Sequence, residues 1–174
     1  KFKFAVTGAA EDRAAIKFHD IGIWAKADAA GEPVFDVYVG GGQGRTPRVA
    51  KLFESAVPLI ELMPLLDAML RVYNLHGRRD NKYKARIKIL VEELGLENYR
   101  DEVRAELANI DRAPFVSVEG EYERICNAFE EGTPEMSPEE AIDLSAATPA
   151  FKRWVESNVE AHRVQGWAIA QISV

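Results

Sequence analysis

Cysteine is almost absent from this chain, which has one, Cys126, in 174 residues. A single cysteine excludes a disulfide within the chain and a metal or iron–sulfur site built from its cysteines alone. We expect Cys126 to be a small buried residue, which is the commonest role of a free cysteine. Scarce cysteine also fits a reducing, cytoplasmic setting.

The chain also lacks long apolar runs and an excess of positive charge. No stretch approaches the roughly 20 apolar residues that a membrane-spanning helix needs. The formal net charge is -6, which disfavours general binding of nucleic acid. The chain begins at Lys1 with neither methionine nor a secretory leader, so we expect it to be a piece of a longer protein.

What remains is an ordinary globular composition, with 47% hydrophobic and 29% charged residues. Alternating and helical spacings of apolar residues predict the secondary structure. The predicted strands cover 1–8, 21–27, 34–39 and 164–174. The predicted helices cover 59–73, 82–94, 97–110 and 148–159, with a further helix start at 137–140.

These elements predict an α+β fold, a mixed or antiparallel sheet with helices packed on it. We place all 174 residues in one domain, since this length suits a single core. Within it, 1–110 form the core, 111–160 an extension and 161–174 a final strand that leads to a missing second half.

Two lysines share one face of the first predicted strand. Lys1 and Lys3 are two residues apart, and side chains alternate between the faces of a strand. Like charges side by side repel each other unless an anion lies between them. The alternative is an exposed strand face with solubilising lysines.

Residues 74–88 reverse the sign of the chain's charge, with six Lys/Arg and one acid. Such a concentration focuses positive potential on one place, where a polycarboxylate, a phosphate or a small oxyanion can bind. We expect Asp80 or Asn81 to cap a helix here, with Lys82 and Arg86 on one ridge. The alternative is a solvated helix face, although like charges four residues apart destabilise a helix slightly.

A glycine-rich loop follows the third predicted strand, with four glycines in residues 40–44. Such a loop lets the backbone approach a flat ligand and turn its N–H groups toward it. It has neither the Lys-Ser/Thr of a Walker loop nor a dinucleotide fingerprint, and it could also be a flexible turn. Together with the two basic elements, it suits a flat anionic cofactor.

Histidine offers little further chemistry. His19 and Asp20 are adjacent, so in a strand they point to opposite faces and are not expected to act as an acid–base dyad. We expect His76 and His162 to cap helices or to pack.

Five segments, in this order, resemble the assimilatory sulfite and nitrite reductase family. They are KFK at 1–3, HDIG at 19–22, VGGGQGRTP at 39–47, RVYN at 71–74 and GRRDNKYKAR at 77–86. The resemblance runs from Lys1 to about Gly95 and continues weakly at 154–159 and 166–168. It is closest to the bacterial, ferredoxin-dependent type of this sirohaem and 4Fe–4S hemoprotein.

The resemblance implies a six-electron reduction of sulfite to sulfide or of nitrite to ammonia. It implies that Lys1 and Lys3 face the substrate and help to deliver protons, and that the loop of Gly40, Gly41 and Gly42 lies near the macrocycle. Contacts to the sirohaem carboxylates come from the stretch that contains Arg79, Lys82, Lys84 and Arg86. The implied partners are sulfite or nitrite, the rest of the polypeptide and an electron donor, either ferredoxin or a flavoprotein.

The chain departs from the family in its metal ligands. The family holds its cluster with two pairs of cysteines, and Cys126 matches neither pair. We therefore expect an internal fragment of the enzyme that binds no cluster, holds sirohaem weakly or not at all, and is inactive alone.

Two alternative functions remain open. One is a non-catalytic module that binds a tetrapyrrole or another organic polyanion. The other is RNA binding through 78–88, which the acidic remainder disfavours.

Overall fold

The computed structural model describes residues 2–115, 118–129, 144–162, 164 and 167–173, except for the side chains of 118 and 119. The chain divides into two compact units, Lys1–Arg124 and Ile125–Val174. The predicted helix start at 137–140 lies outside the described residues.

Unit 1 contains a four-stranded mixed sheet. Its strands are β1 (Phe4–Thr7), β2 (Ile21–Ala27), β3 (Pro33–Val39) and β4 (Lys51–Pro58), in the order β1-β2-β3-β4. Strand β1 runs parallel to β2, while the other neighbours are antiparallel. The predictions of β2 and β3 are confirmed nearly to the residue, because both segments carry dense β-branched and aromatic side chains.

Sequence analysis missed β4, because this strand does not alternate. The pairing of β3 with β4 shifts register around Val37, and Ala56 has a positive φ of 53°. The buried apolar side chains of β4 are Phe53 and Val57, whereas Ser55, midway between them, is exposed. A bulge of this kind breaks the two-residue period on which strand prediction depends.

Three helices cover one face of this sheet: α1 (Leu59–His76), α2 (Ile87–Leu94) and α3 (Leu96–Leu107). Buried residues of β2, β3 and β4 form one hydrophobic cluster with residues of all three helices. Its fully buried members include Ile21, Val37, Val39, Met69, Ile87 and Val103. The predicted α+β class, a mixed sheet with packed helices, is therefore confirmed.

Strand β1 leaves apolar side chains in solvent. Phe4 and Val6 pair in register with the buried Ile21 and Ile23, yet they are 43% and 58% exposed. The reason is position, since β1 is the edge strand of the sheet. Lys3, just before β1, is also exposed, while Lys1 lies outside the described residues.

The remaining elements are α4 (Val118–Ala128), which runs across the boundary between the units, and those of unit 2. Unit 2 has α5 (Pro149–Asn158) and a small antiparallel pair, β5 (Val159–Ala161) and β6 (Ala168–Ala170). The predicted final strand, 164–174, is thus reduced to β6 within the described residues. The Thr148 hydroxyl accepts the Phe151 N–H and caps α5 at 3.3 Å.

Cys126 is exposed, so the expectation of a buried cysteine is wrong. It lies on α4, whose described side chains, 120–128, are all exposed. Among the described residues, no helix has the length and apolarity needed to cross a bilayer.

Candidate functional site

The basic segment is not the helix that the sequence predicts. Helix α2 begins at Ile87, so residues 77–86 form a loop, and the expected cap at Asp80 or Asn81 is wrong. The Asn81 side chain accepts the Tyr83 N–H at 3.0 Å, and the Asn81 carbonyl accepts the Lys84 N–H at 2.9 Å. An Asx turn of this kind competes with helix formation. The cations therefore project from an irregular loop rather than from one helical ridge.

Tyr73, near the end of α1, brings this loop to the beginning of the chain. Its ring lies 5.4 Å from the ring of Phe2 and 4.9 Å from the guanidinium carbon of Arg79. Its hydroxyl donates a hydrogen bond to the Ala85 carbonyl. One aromatic side chain thus fixes the N-terminal residues and both ends of the basic loop relative to each other.

Asp20 makes a second connection between the same segments. Its Oδ2 accepts the backbone N–H of Lys3 at 3.0 Å. Its Oδ1 accepts Nε and Nη2 of Arg86 at 3.0 and 2.6 Å. Asp20 is 1% exposed, while the Arg86 side chain is 37% exposed. A buried carboxylate therefore holds a half-exposed guanidinium beside the backbone of Lys3.

Three other cations of the loop remain exposed: Arg79, Lys82 and Lys84. Within the described part of the chain, no carboxylate lies at ion-pair distance from any of them. The single acid of the loop, Asp80, accepts two hydrogen bonds from the Arg78 guanidinium, both at 2.7 Å. That guanidinium lowers the pKa of Asp80 to about 2. The loop therefore presents uncompensated positive charge, which favours an anion.

The glycine loop uses its conformation for internal packing. The N–H of Gly40 donates to the Asp20 carbonyl at 3.0 Å, and that of Gly42 donates to the Arg48 carbonyl at 3.0 Å. These two N–H groups are thus engaged within the protein, although the sequence suggested that the loop would turn them toward a ligand. The loop packs against other groups of the protein instead, among them the Arg86 guanidinium, which lies beside Gly42.

Lys88 fastens the other end of this loop. Its Nζ donates to the carbonyls of Gln43 at 3.1 Å and Thr46 at 2.6 Å. Burial of the ammonium group, followed by repulsion from Arg86 and Arg48, holds the pKa of Lys88 below its ordinary value. Lys88 is 6% exposed. This buried member of the six cations in the basic segment therefore has a structural role, which sequence reasoning did not identify.

Replacing Gly41 with alanine tests how tightly the glycine loop is packed. A Cβ at this position would lie 2.4 Å from the Lys17 carbonyl oxygen and 2.5 Å from that of His19. Because backbone atoms cannot rotate away, we expect Gly41→Ala to lower the free energy of unfolding by about 1–3 kcal/mol.

Urea unfolding measures the effect of Gly41→Ala, with Gly8→Ala as the matched control. At Gly8 a Cβ would meet only the Ala25 Cβ at 3.8 Å, an ordinary contact. Equal stability of the two variants would show that the loop is not packed as described.

The predicted site residues therefore have different placements. Lys3 and Arg86 meet at Asp20, Arg79 lies on Tyr73 beside Phe2, and Gly40 donates to the backbone of Asp20. Lys82 and Lys84 lie on the same loop and are exposed. Sequence reasoning missed the connecting residues, Asp20 and Tyr73. The available signal for Asp20 was an acid placed directly before a continuous apolar strand.

A cavity of unit 1 lies elsewhere. It measures about 450 Å³ and has the carboxylates of Asp28, Glu32 and Glu123 in its lining, together with apolar side chains such as Phe115. Three carboxylates would repel a polyanion, so this cavity does not suit one. Lys3, Arg79 and Arg86 do not line this cavity; Lys3 and Arg79 are exposed at the surface of unit 1.

Comparison with known proteins gives consistent results over this part of the chain. Residues 1–110 match the family described as Nitrite and sulphite reductase 4Fe-4S domain. The chain is 34% identical over 116 residues to the assimilatory ferredoxin-dependent nitrite reductase of Haloferax mediterranei, a match that covers 64% of this chain and 20% of that protein. It is 32% identical over 114 residues to the sulfite reductase (NADPH) hemoprotein beta-component of Chromohalobacter salexigens, covering 62% and 20%.

Among solved structures, the chain is similar to the NirA protein of Mycobacterium tuberculosis. The TM-score is 0.49 with 27% sequence identity, over 53% of this chain and 17% of that one. The matched regions span about one fifth of the length of the curated relatives.

Proposed function

Because this chain belongs to the nitrite and sulphite reductase 4Fe-4S domain family, we propose that it forms part of a sirohaem-dependent reductase. The reaction is the six-electron reduction of sulfite to sulfide or of nitrite to ammonia. The observation that carries the proposal is the contact between two segments, in which Asp20 holds the Arg86 guanidinium beside the Lys3 backbone and Arg79 packs on Tyr73. Lys3, Arg79, Lys82 and Lys84 are exposed. The chain contributes cationic side chains to that reaction.

The lysines at the start of the chain act on the substrate. We assign Lys1 and Lys3 to the stabilisation of negative charge on the oxyanion and to the delivery of protons as it is reduced. An ammonium group can do both, since it is a compact positive charge and a proton donor. Lys3 supports this role by being exposed while its own backbone is fixed by Asp20.

The basic loop binds the carboxylates of sirohaem. Arginine can hold a carboxylate through two parallel hydrogen bonds, and lysine adds point charges. Arg79, Lys82 and Lys84 are exposed and lack an ion-pair partner among the described residues, so their donor chemistry fits this group. When bound, sirohaem supplies the iron at which the substrate is reduced. We place the loop of Gly40, Gly41 and Gly42 near the macrocycle, where the buried Gly42 packs beside the Arg86 guanidinium and supports it from within the protein.

A 4Fe–4S cluster does not fit the cysteine content of this chain. A 4Fe–4S cluster is held by four cysteine thiolates, and the chain has one cysteine. In the described residues, no group of three or more His, Cys, Asp and Glu could hold a metal ion. We therefore assign the cluster ligands to another part of the polypeptide, and the chain alone is expected to be inactive.

The remaining partners follow from the same proposal. The electron donor is ferredoxin or a flavoprotein, and the compartment is the reducing cytoplasm. The second candidate function, a module that binds an organic polyanion without redox chemistry, is favoured by one fact. The cations of the basic loop are present in this chain, whereas the four cysteine ligands of an iron–sulfur cluster are not.

A titration with uroporphyrin, a tetrapyrrole with eight carboxylates, tests the binding step. We expect weak binding by the wild-type chain at low salt, and a marked loss of affinity at high salt because the contacts are ionic. An RNA oligonucleotide of equal charge is the comparison ligand and should bind more weakly. Absence of uroporphyrin binding at low salt, or equal affinity for RNA, would contradict the assignment.

A further inference from the structure

Asp20 occupies an unusual place for a carboxylate. It is 1% exposed, and burying a charge is costly unless it is paired and hydrogen-bonded. Here both oxygen atoms are engaged, one by the Lys3 N–H and the other by the Arg86 guanidinium. The three partners come from segments far apart in sequence, since Asp20 is 17 residues from Lys3 and 66 from Arg86.

The geometry leaves part of Arg86 available. Its Nε and Nη2 both donate to one oxygen of Asp20, so its Nη1 side is not used in this fork. The side chain is 37% exposed and can present that side to an anion. Because Asp20 already holds the Nε and Nη2 edge of the guanidinium, the side chain loses little rotational freedom when a ligand binds, and this strengthens binding.

We propose that Asp20 is a positioning residue, which sets the Lys3 backbone and the Arg86 guanidinium in one arrangement ready for an anionic ligand. This inference rests on the proposed polyanion site. It assigns a role in anion binding to a residue that is itself negatively charged and does not touch the ligand.

The sign of the effect separates this role from simple electrostatics. Asp20→Asn removes a negative charge beside the anion site, and Coulomb's law alone predicts tighter binding of an anion. Positioning predicts the opposite, because a neutral amide holds the guanidinium less firmly than a carboxylate. We expect Asp20→Asn to weaken uroporphyrin binding about tenfold.

A double-mutant cycle tests whether Asp20 acts through Arg86. In an Arg86→Met background, Asp20→Asn is expected to change uroporphyrin affinity less than about twofold. An equal loss in both backgrounds would overturn the proposal, as would unchanged or tighter binding by Asp20→Asn itself.

Asp36→Asn is the matched structural control. Asp36 on β3 also pairs with a lysine, Lys26, and also accepts a backbone N–H, that of Ala56 at 3.1 Å. This change should lower stability without weakening uroporphyrin binding. If it weakened binding as much as Asp20→Asn does, the effect would be general loss of structure and the proposal would be wrong.

Arg86→Lys keeps the test decisive if Asp20→Asn does not fold. Lysine keeps the charge but cannot form the fork, so we expect weaker uroporphyrin binding despite an unchanged net charge. Wild-type affinity in Arg86→Lys would overturn the proposal. If wild-type protein itself does not bind uroporphyrin, the proposed site fails first; if it binds and these variants bind equally well, only the role of Asp20 fails.

Discussion

Exchanging Arg79, Lys82 and Lys84 together for glutamine is expected to weaken uroporphyrin binding roughly 100-fold at low salt. Each exposed charge that meets a carboxylate contributes up to roughly fivefold in affinity, and three such contacts multiply. Because these side chains lack ion-pair partners in the described residues, removing them should leave no acid uncompensated. Fluorescence titration of the variant against the wild-type chain measures the loss.

The control for this triple variant removes the same charge elsewhere. Arg13, Lys51 and Arg153 are also exposed, and their exchange for glutamine makes the net charge equally more negative. We expect this second triple to weaken binding only slightly, since none of the three lies on the basic loop and salt screens exposed charges that do not meet the ligand. Equal losses in both triples would mean that uroporphyrin responds to net charge and not to the basic loop.

Arg86→Met is expected to lower the free energy of unfolding by about 3 kcal/mol, because it leaves the buried Asp20 carboxylate without its counter-ion. Asp20 is 1% exposed, and its Oδ1 receives both donors from Arg86. The remaining hydrogen bond, from the Lys3 N–H at 3.0 Å, cannot replace a positive charge. Urea unfolding followed by circular dichroism measures the change.

Arg48→Met provides the comparison, since Arg48 makes an ion pair that water reaches. Arg48 and Glu92 have side chains that are 42% and 49% exposed, and exposed pairs contribute little to stability. Arg86→Met should therefore be far more destabilising than Arg48→Met. Similar unfolding curves for the two variants would show that the buried pair of Arg86 and Asp20 contributes no more to stability than an exposed ion pair.

Local sequence patterns predicted the regular elements because their information lies within a few residues. The dense apolar content of β2 and β3, and the three- and four-residue spacing of Leu62, Leu65 and Met69 in α1, need no knowledge of the rest of the chain. The bulged strand β4 failed because its register depends on its neighbour β3.

The sequence predicted which residue types belong to the candidate site, but not how they are arranged in space. Cationic residues near 79–86 and lysines at the start of the chain were identified, but not what joins them. Asp20 pairs across 66 residues, and Lys88 reaches a carbonyl 45 residues away. Contacts at such separations leave no periodic trace in a single sequence, so a buried cation and a ligand-facing one looked alike.

Cations from separate segments are expected to converge on one anion, and residue-resolved acetylation of lysines tests this convergence most directly. The rates at Lys3, Lys82, Lys84 and Lys26 are compared by mass spectrometry with and without saturating uroporphyrin. We predict that acetylation slows together at Lys3, Lys82 and Lys84 and is unchanged at Lys26, which pairs with Asp36. Protection of Lys82 and Lys84 with Lys3 unaffected, or equal protection of Lys26, would contradict a shared site.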